Sequence, residues 1–217
     1  LTIEEALAML RVAKKRGIMW WAIVAVADDK ALRPAEWIGL TVGQIAFDQY
    51  GATAVVKSGK VGERRVRLVS SAPALREWLV VHPDCDNPRA PAWLYHNGTR
   101  KGQMLSYDAI RLSLQSMARE AGIRKRVTAY TFRHSSITRS STKLTEPVMR
   151  KVYGWTSSSR MPARYIHLSG RDVDDQVLAM HGIVREPDQE RILNPRRCVR
   201  CDLMNSPEAS FCSRCSA

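Results

Sequence analysis

The chain has 217 residues, 45% of them hydrophobic, enough for one buried core with room for a small appendage. Lys and Arg number 34 against 21 Asp and Glu, and the net charge of +13 is spread in short basic groups, which favours a polyanionic partner over a merely soluble basic surface. The longest apolar run, Ile18 to Ala27 (IMWWAIVAVA), falls far short of the ~20 residues that span a bilayer, and no signal peptide precedes it, so a cytoplasmic protein without a membrane partner is expected.

In chain order, Thr2-Ile3-Glu4-Glu5 has the Thr-x-x-Glu form of a capping box, and Ala6, Leu7, Leu10 and Ala13 follow at helical spacing, so the first helix starts almost at Leu1. A chain that opens on Leu and not Met is expected to be a fragment or a processed product. A buried helix covers about Ile18 to Asp28, and Pro34 suits the first turn of a third helix carrying Glu36, Trp37 and Leu40. Between about Ile45 and Leu68, the β-branched runs IAFDQYG, ATAVVKSGK and RRVRLV with glycine turns predict a small three-stranded antiparallel sheet. Helix then returns in APALREWLVV, in SYDAIRLSLQSMAREAG with Ser106 as N-cap and Gly122 as stop, in TFRHSSITRSS and in TEPVMRKVYG. A last short helix is expected near 172 to 181. The fold class is thus mainly α with a small antiparallel sheet (α+β). The main domain is expected over 1–182, a polar linker (REPDQERILNPRR) over 183–195, and a small module over 196–217.

That module holds four of the five cysteines, as Cys198-x2-Cys201 and Cys212-x2-Cys215. Two CxxC knuckles suit one tetrahedral zinc ion bound by four thiolates, and a ribbon with so few apolar residues would draw its folding energy from the metal. A pair of disulfides is the competing reading and conflicts with a reducing compartment. Four protein ligands leave no open position, so the one zinc is expected to be structural. Cys85 reads as an ordinary free thiol.

Four further stretches carry the chemistry: ALRPAEWIGL (31–40), SGKVGERRVRL (58–68), TFRHSSIT (131–138) and YGWTSSSRMPARYIHL (153–168). Singly, each also reads as a helix start, a basic hairpin or an amphipathic helix. In this order they resemble the catalytic domain of the tyrosine recombinases, the phage integrase family, over about residues 1–180. A cysteine-knuckle tail beside the GW…MPARYIHLSG wording looks most like archaeal-type members. The resemblance implies that Tyr165 is the nucleophile, that Arg33 and Arg133 clamp the scissile phosphate, and that Lys60 at a hairpin tip protonates the departing 5′ oxygen, with Lys57 as the fallback. It also implies that Glu36 fills the family's acidic position and Trp155 its His/Trp position.

Those roles suit the residue types. Negative charge on the non-bridging oxygens of an in-line phosphoryl transfer can be met by two guanidinium forks without a catalytic cofactor. An ammonium can act as a general acid, and an indole N–H can donate to a phosphate oxygen. Glu36 could equally be a plain carboxylate on a helix face. The phenol, with an ordinary pKa near ~10, needs nearby cations to favour its phenolate, and two arginines and a lysine are expected to supply them. One departure stands out: the residue three before Arg133, usually His in the family, is Tyr130, a poor general base. His134 reads as a structural partner and His167 as incidental.

The activity implied is site-specific recombination or integration of double-stranded DNA through a covalent 3′-phosphotyrosine. Four protomers would act on two duplexes, with monomers off DNA and the helix near 172–181 docking on a neighbour. Members of the family usually carry a separate helical domain upstream that clamps the other face of the DNA, a domain outside this sequence. A type IB topoisomerase-like nicking and closing enzyme, a catalytically weakened DNA-binding regulator and a zinc-ribbon adaptor are the rivals.

Overall fold

The computed structural model describes residues 1–29, 32–58, 62–166, 170–183, 195–207 and 209–217, with residues 170–172 and 176 described by their backbone alone. The described helices are α1 (Ile3–Arg16), α2 (Ile18–Asp29), α3 (Pro34–Ile38), α4 (Ala72–Val80), α5 (Tyr107–Glu120), α6 (Ala129–Ser141), α7 (Glu146–Tyr153) and α8 (Gly170–Met180). Strands β1 (Ile45–Asp48), β2 (Gly51–Ser58) and β3 (Gly62–Leu68) form one antiparallel sheet in that order, and β4 (Arg196–Arg197) pairs with β5 (Met204–Asn205) in a second. The architecture is the expected mainly α fold with a small antiparallel sheet. No helix among the described residues is long and apolar enough to cross a membrane.

The capping box at the start is complete: the Thr2 hydroxyl accepts from Glu5 N (3.2 Å) and the Glu5 carboxylate from Thr2 N (2.7 Å). Two orphan donors of the first turn are thereby met. α1 turns Ala6, Met9, Val12 and Ala13 inward. α2 is apolar on every side, which only a central position can satisfy, and it packs against α1, α4 and α6. Trp37, Trp78 and Trp93 are fully buried beside it. Two of their indole N–H groups find carbonyls, Trp78 Nε1 to Ala92 O (2.8 Å) and Trp93 Nε1 to Trp37 O (2.6 Å), so their burial leaves those donors satisfied.

The end of α2 is tied down on two sides. Asp29 Oδ2 accepts from Val69 N (2.8 Å), Ser71 N (3.0 Å) and Ser71 Oγ (2.9 Å), and its carbonyl accepts from Ser136 Oγ (2.9 Å) on α6. This junction fixes where the chain leaves α2 for Arg33. The sheet packs on α3 and α4, and its alternation points Arg64, Val66 and Leu68 of β3 to the inner face. A smaller core of Ile137, Met149, Tyr153 and Trp155, with Met161, Tyr165 and Ile166 against it, joins α6, α7 and the segment after α7. The cysteine module has its own minimal core of Cys198, Leu203 and Cys212, and β5 lies against α4.

Candidate active site

α3 begins with Arg33 at its N-cap and Pro34 in its first turn, a start that needs no proline N–H. Glu36, in that same turn, folds back so that Oε2 accepts from Arg33 N (2.7 Å) and Oε1 from Arg33 Nη1 (2.9 Å). The same carboxylate accepts from Arg64 Nη2 (2.8 Å) on β3. Glu36 is thus a buried carboxylate held between two guanidiniums. Arg64 was not among the expected site residues. Its signal was the strand alternation that places residue 64 in phase with Val66 and Leu68.

The two predicted clamp arginines meet at the C-terminal end of α7. Arg133 Nη2 donates to Tyr153 O (2.9 Å), and Arg33 Nη2 donates to Gly154 O. These carbonyls are available because a helix leaves its last acceptors without intrahelical partners. Gly154 adopts the left-handed conformation (φ 65°, ψ 47°), and Trp155 N returns to Arg150 O (2.9 Å) while Gly154 N returns to Lys151 O (3.4 Å), a Schellman ending. A side chain at residue 154 would meet Arg64 and Arg33, its Cβ lying 2.9 Å from Arg64 Nε and 3.0 Å from Arg33 Nη1. The Gly-Trp pair therefore ends the helix, admits the guanidiniums and turns the indole toward the next element.

That element is a 3-10 turn, Pro162–Arg164, which delivers Tyr165. The Tyr165 ring lies nearly parallel to Trp155 (centroids 5.9 Å, 13°) and to His134 (5.9 Å, 26°). Trp155 is buried under it. His134 stands on the exposed face of α6, one residue after buried Arg133, and its Nδ1 contacts the Tyr165 hydroxyl at 2.5 Å. The sequence reading gave His134 a structural role; its partner in the fold is the Tyr165 phenol. Burial pushes the Tyr165 phenol above its ordinary value, against the pull of Arg133 and Arg164. Of the cations expected to favour the phenolate, Arg133 acts on the phenol, joined by Arg164, and burial outweighs both. Burial first, then Arg33, lowers Arg133 to about 10, still protonated at neutral pH.

Tyr130 sits on the first turn of α6, three residues before Arg133, and is 52% exposed. Lys60 and His167 lie outside the described residues. Lys57 is on β2 with its ammonium 3.7 Å from Glu63, the residue paired with it across the hairpin. Cys85 is exposed, in keeping with an ordinary thiol.

Away from this site, Cys198, Cys201, Cys212 and Cys215 bring their four sulfurs within 4.8 Å of one another. The Cys198–Cys215 and Cys201–Cys212 pairs are each 3.5 Å apart, close to the roughly 3.8 Å edge of a tetrahedron with zinc–sulfur bonds of about 2.3 Å. In each knuckle a backbone N–H, of Arg200 and of Arg214, donates to the first sulfur at 3.4 Å, the bond that turns both thiols inward. The donor set fits a four-thiolate metal ion.

Comparisons with known proteins point to one family. The model of the phage integrase family matches residues 1–171. A tyrosine recombinase of Synechocystis sp. is 30% identical over 153 residues, covering 69% of this chain and 47% of the relative. Another, from Synechococcus elongatus, is 30% identical over 140 residues, 62% of this chain and 42% of the relative, so the chain spans somewhat under half the length of both. Among solved structures, the XerA recombinase superposes with a TM-score of 0.65 at 21% identity, over 87% of this chain and 64% of that one. XerH site-specific recombinase bound to palindromic difH substrate gives 0.63 at 17%, over 83% and 53%. With its matched region holding the paired arginines and the tyrosine beside them, the chain belongs to the phage integrase family.

Proposed function

We propose that this chain cuts and rejoins double-stranded DNA at specific sites, with Tyr165 as nucleophile. The observation that carries the reading is the Tyr165 hydroxyl against His134 Nδ1, beside two arginines fixed by the end of α7. Arg33 and Arg133 hold the scissile phosphate by its non-bridging oxygens. Oη of Tyr165 attacks phosphorus in line, and His134 Nδ1 takes the phenol proton as the bond forms. The P–O5′ bond breaks, the 5′ oxygen leaves with a proton from Lys60, and the 3′-phosphotyrosine keeps the bond energy. Attack by a free 5′-hydroxyl reverses these steps and reseals a strand. Glu36 orients Arg33, Trp155 stacks under the nucleophile and Tyr130 is a peripheral neighbour. The chemistry draws on arginines, lysine and imidazole, with no catalytic metal.

The catalytic domain is taken to run over 1–182, the linker over 183–195 and the ribbon over 196–217. One zinc ion bound by Cys198, Cys201, Cys212 and Cys215 would fold the ribbon and take no part in cleavage. A tetramer on two duplexes is the working assembly, supported by the exposed Val173, Val177 and Met180 of α8, which suit docking on a neighbour. A DNA substrate suits a cytoplasmic protein.

The test is a pool of randomised duplexes, each nicked so that the cleaved piece diffuses away. Wild type should form an adduct that survives denaturant, and Tyr165→Phe should form none while still binding DNA. An adduct that persists in Tyr165→Phe would move the nucleophile elsewhere.

A further inference from the structure

Arg64 is the least expected member of the cluster. Its side chain is only 10% exposed, and its ion pair with Glu36, itself 3% exposed, is 2.8 Å long. Nε and Nη1 are buried with no hydrogen-bond partner in the described structure. Leaving buried guanidinium donors unmet is costly, so the residue is not there for the stability of the sheet. An apolar residue at this inward position of β3, continuing Val66 and Leu68, would pack without that penalty. What Arg64 does have is one strong link, to the carboxylate that also holds Arg33.

We infer that Arg64 is a positioning residue for the phosphate clamp, acting through Glu36 on Arg33. Glu36 makes contacts of two kinds: Oε1 meets Arg33 Nη1, while Oε2 receives both Arg33 N and Arg64 Nη2. Without Arg64 the carboxylate would keep its hold on the α3 backbone but lose the partner that fixes its plane, and the Arg33 fork, still bonded to Gly154 O through Nη2, would be held less firmly on its Nη1 side. Gly154 closes the other side, with its Cα so near that an added methyl would lie 3.2 Å from Arg64 Cζ. Arg64 therefore cannot swing toward a phosphate without leaving this slot, which separates its role from that of Arg33 and Arg133. The arrangement also links the β2–β3 hairpin to the clamp. The strand that leads away from the hairpin tip is pinned to α3 by Arg64.

The inference rests on the strand-cleavage reading for its consequence, but its physical core can be read without DNA. In the full chain labelled with 15N, the Arg33 Nε–H resonance, identified by its loss in Arg33→Lys, should broaden or shift in Arg64→Gln and stay in place in Arg67→Gln. Arg67 pairs with Asp48 at the surface (2.6 Å) and serves as the control. On the nicked duplex pool, Arg64→Gln should cleave about a hundredfold more slowly with DNA affinity little changed, as expected for a displaced catalytic group. Arg64→Lys, which can still reach Glu36, should recover part of the rate. Arg33→Ala with Arg64→Gln should be no slower than Arg33→Ala alone, because the second change acts through a residue already removed. If Arg64→Gln fails to fold, Glu36→Gln breaks the same link and should show the same Arg33 resonance change and the same non-additivity. An unchanged Arg33 resonance, or losses that multiply in the double variant, overturns the positioning role. Absence of any adduct from wild type alongside a shifted Arg33 resonance would instead sink strand cleavage and leave the linkage standing.

Discussion

Replacing Gly154 with Ala tests how tightly the α7 ending and the arginine cluster are joined. The methyl would sit 2.9 Å from Arg64 Nε and 3.0 Å from Arg33 Nη1, roughly half an ångström inside ordinary contact. It would also force a side chain into the left-handed conformation, at about 1–2 kcal/mol. For a chain of this size that lowers Tm by about 2–8 °C. A domain stable by some 5–15 kcal/mol stays almost wholly folded after such a loss, so unfolding cannot account for slower chemistry. The displaced Arg33 head can: moving a positioned group by ~1 Å costs about 10²-fold, and losing one charge-stabilising donor outright costs about 10²–10³. Single-turnover adduct formation should therefore fall by about 10- to 100-fold. Gly154→Asn separates the two effects, because Asn tolerates the left-handed region yet carries the same Cβ. Its Tm should recover while its cleavage stays slow. If Gly154→Ala cleaves within about threefold of wild type despite a lower Tm, the arginine heads are not confined by this residue, and the account of the Gly-Trp pair is wrong.

Because burial holds the Tyr165 phenol above its ordinary value, the phenolate is scarce at neutral pH and becomes more available as pH rises, so cleavage in single-turnover pH series should climb toward alkaline conditions. If His134 accepts the phenol proton, His134→Ala should lower the neutral-pH rate by about 10²–10⁴ and lose less at alkaline pH; a uniform small loss would reduce His134 to packing. Tyr130→Phe should change cleavage less than about threefold, and Tyr130→His should be tolerated, since the phenol is 52% exposed beside the site; a loss near that of Tyr165→Phe would give it a direct chemical part. Metal analysis should find one zinc per chain, and a chelator should abolish the ribbon's NMR dispersion while the helical circular dichroism of the body persists; metal-free protein with a folded ribbon would contradict the site.

Much of this was legible because local rules and global packing agree. Thr2 and Glu5 announce α1, Ser106 and Gly122 bracket α5, and an apolar run too short to span a bilayer suits the central element α2. The ordered boxes likewise pointed to Arg33, Arg133 and Tyr165, which the fold gathers from three separate stretches. What escaped depends on direction and on distance along the chain. Arg64 stands in a run of basic residues where composition suggests a solvated hairpin, and only the strand phase, fixed by pairing Val56 with Arg64, turns it inward. His134 follows Arg133, and one residue of helical rotation separates a buried guanidinium from an exposed imidazole that meets Tyr165. The net direction of the Tyr165 pKa was also out of reach, because it is set by competition between arginine charge and the burial supplied by Trp155 and its neighbours.

The choice of acceptors at the end of α7 has an electrical consequence. Carboxylates would have fixed the two clamp arginines equally well, but each would have cancelled a whole charge. The carbonyls of Tyr153 and Gly154 carry only partial charges, so they direct the Arg133 and Arg33 forks while leaving most of their field intact. Glu36, the carboxylate paired with Arg33 and Arg64 among the described residues, offsets at most one of the three guanidiniums gathered here. The remainder is a standing positive potential, already aimed in the protein alone, and under the proposed function a DNA phosphate is the counter-ion suited to it.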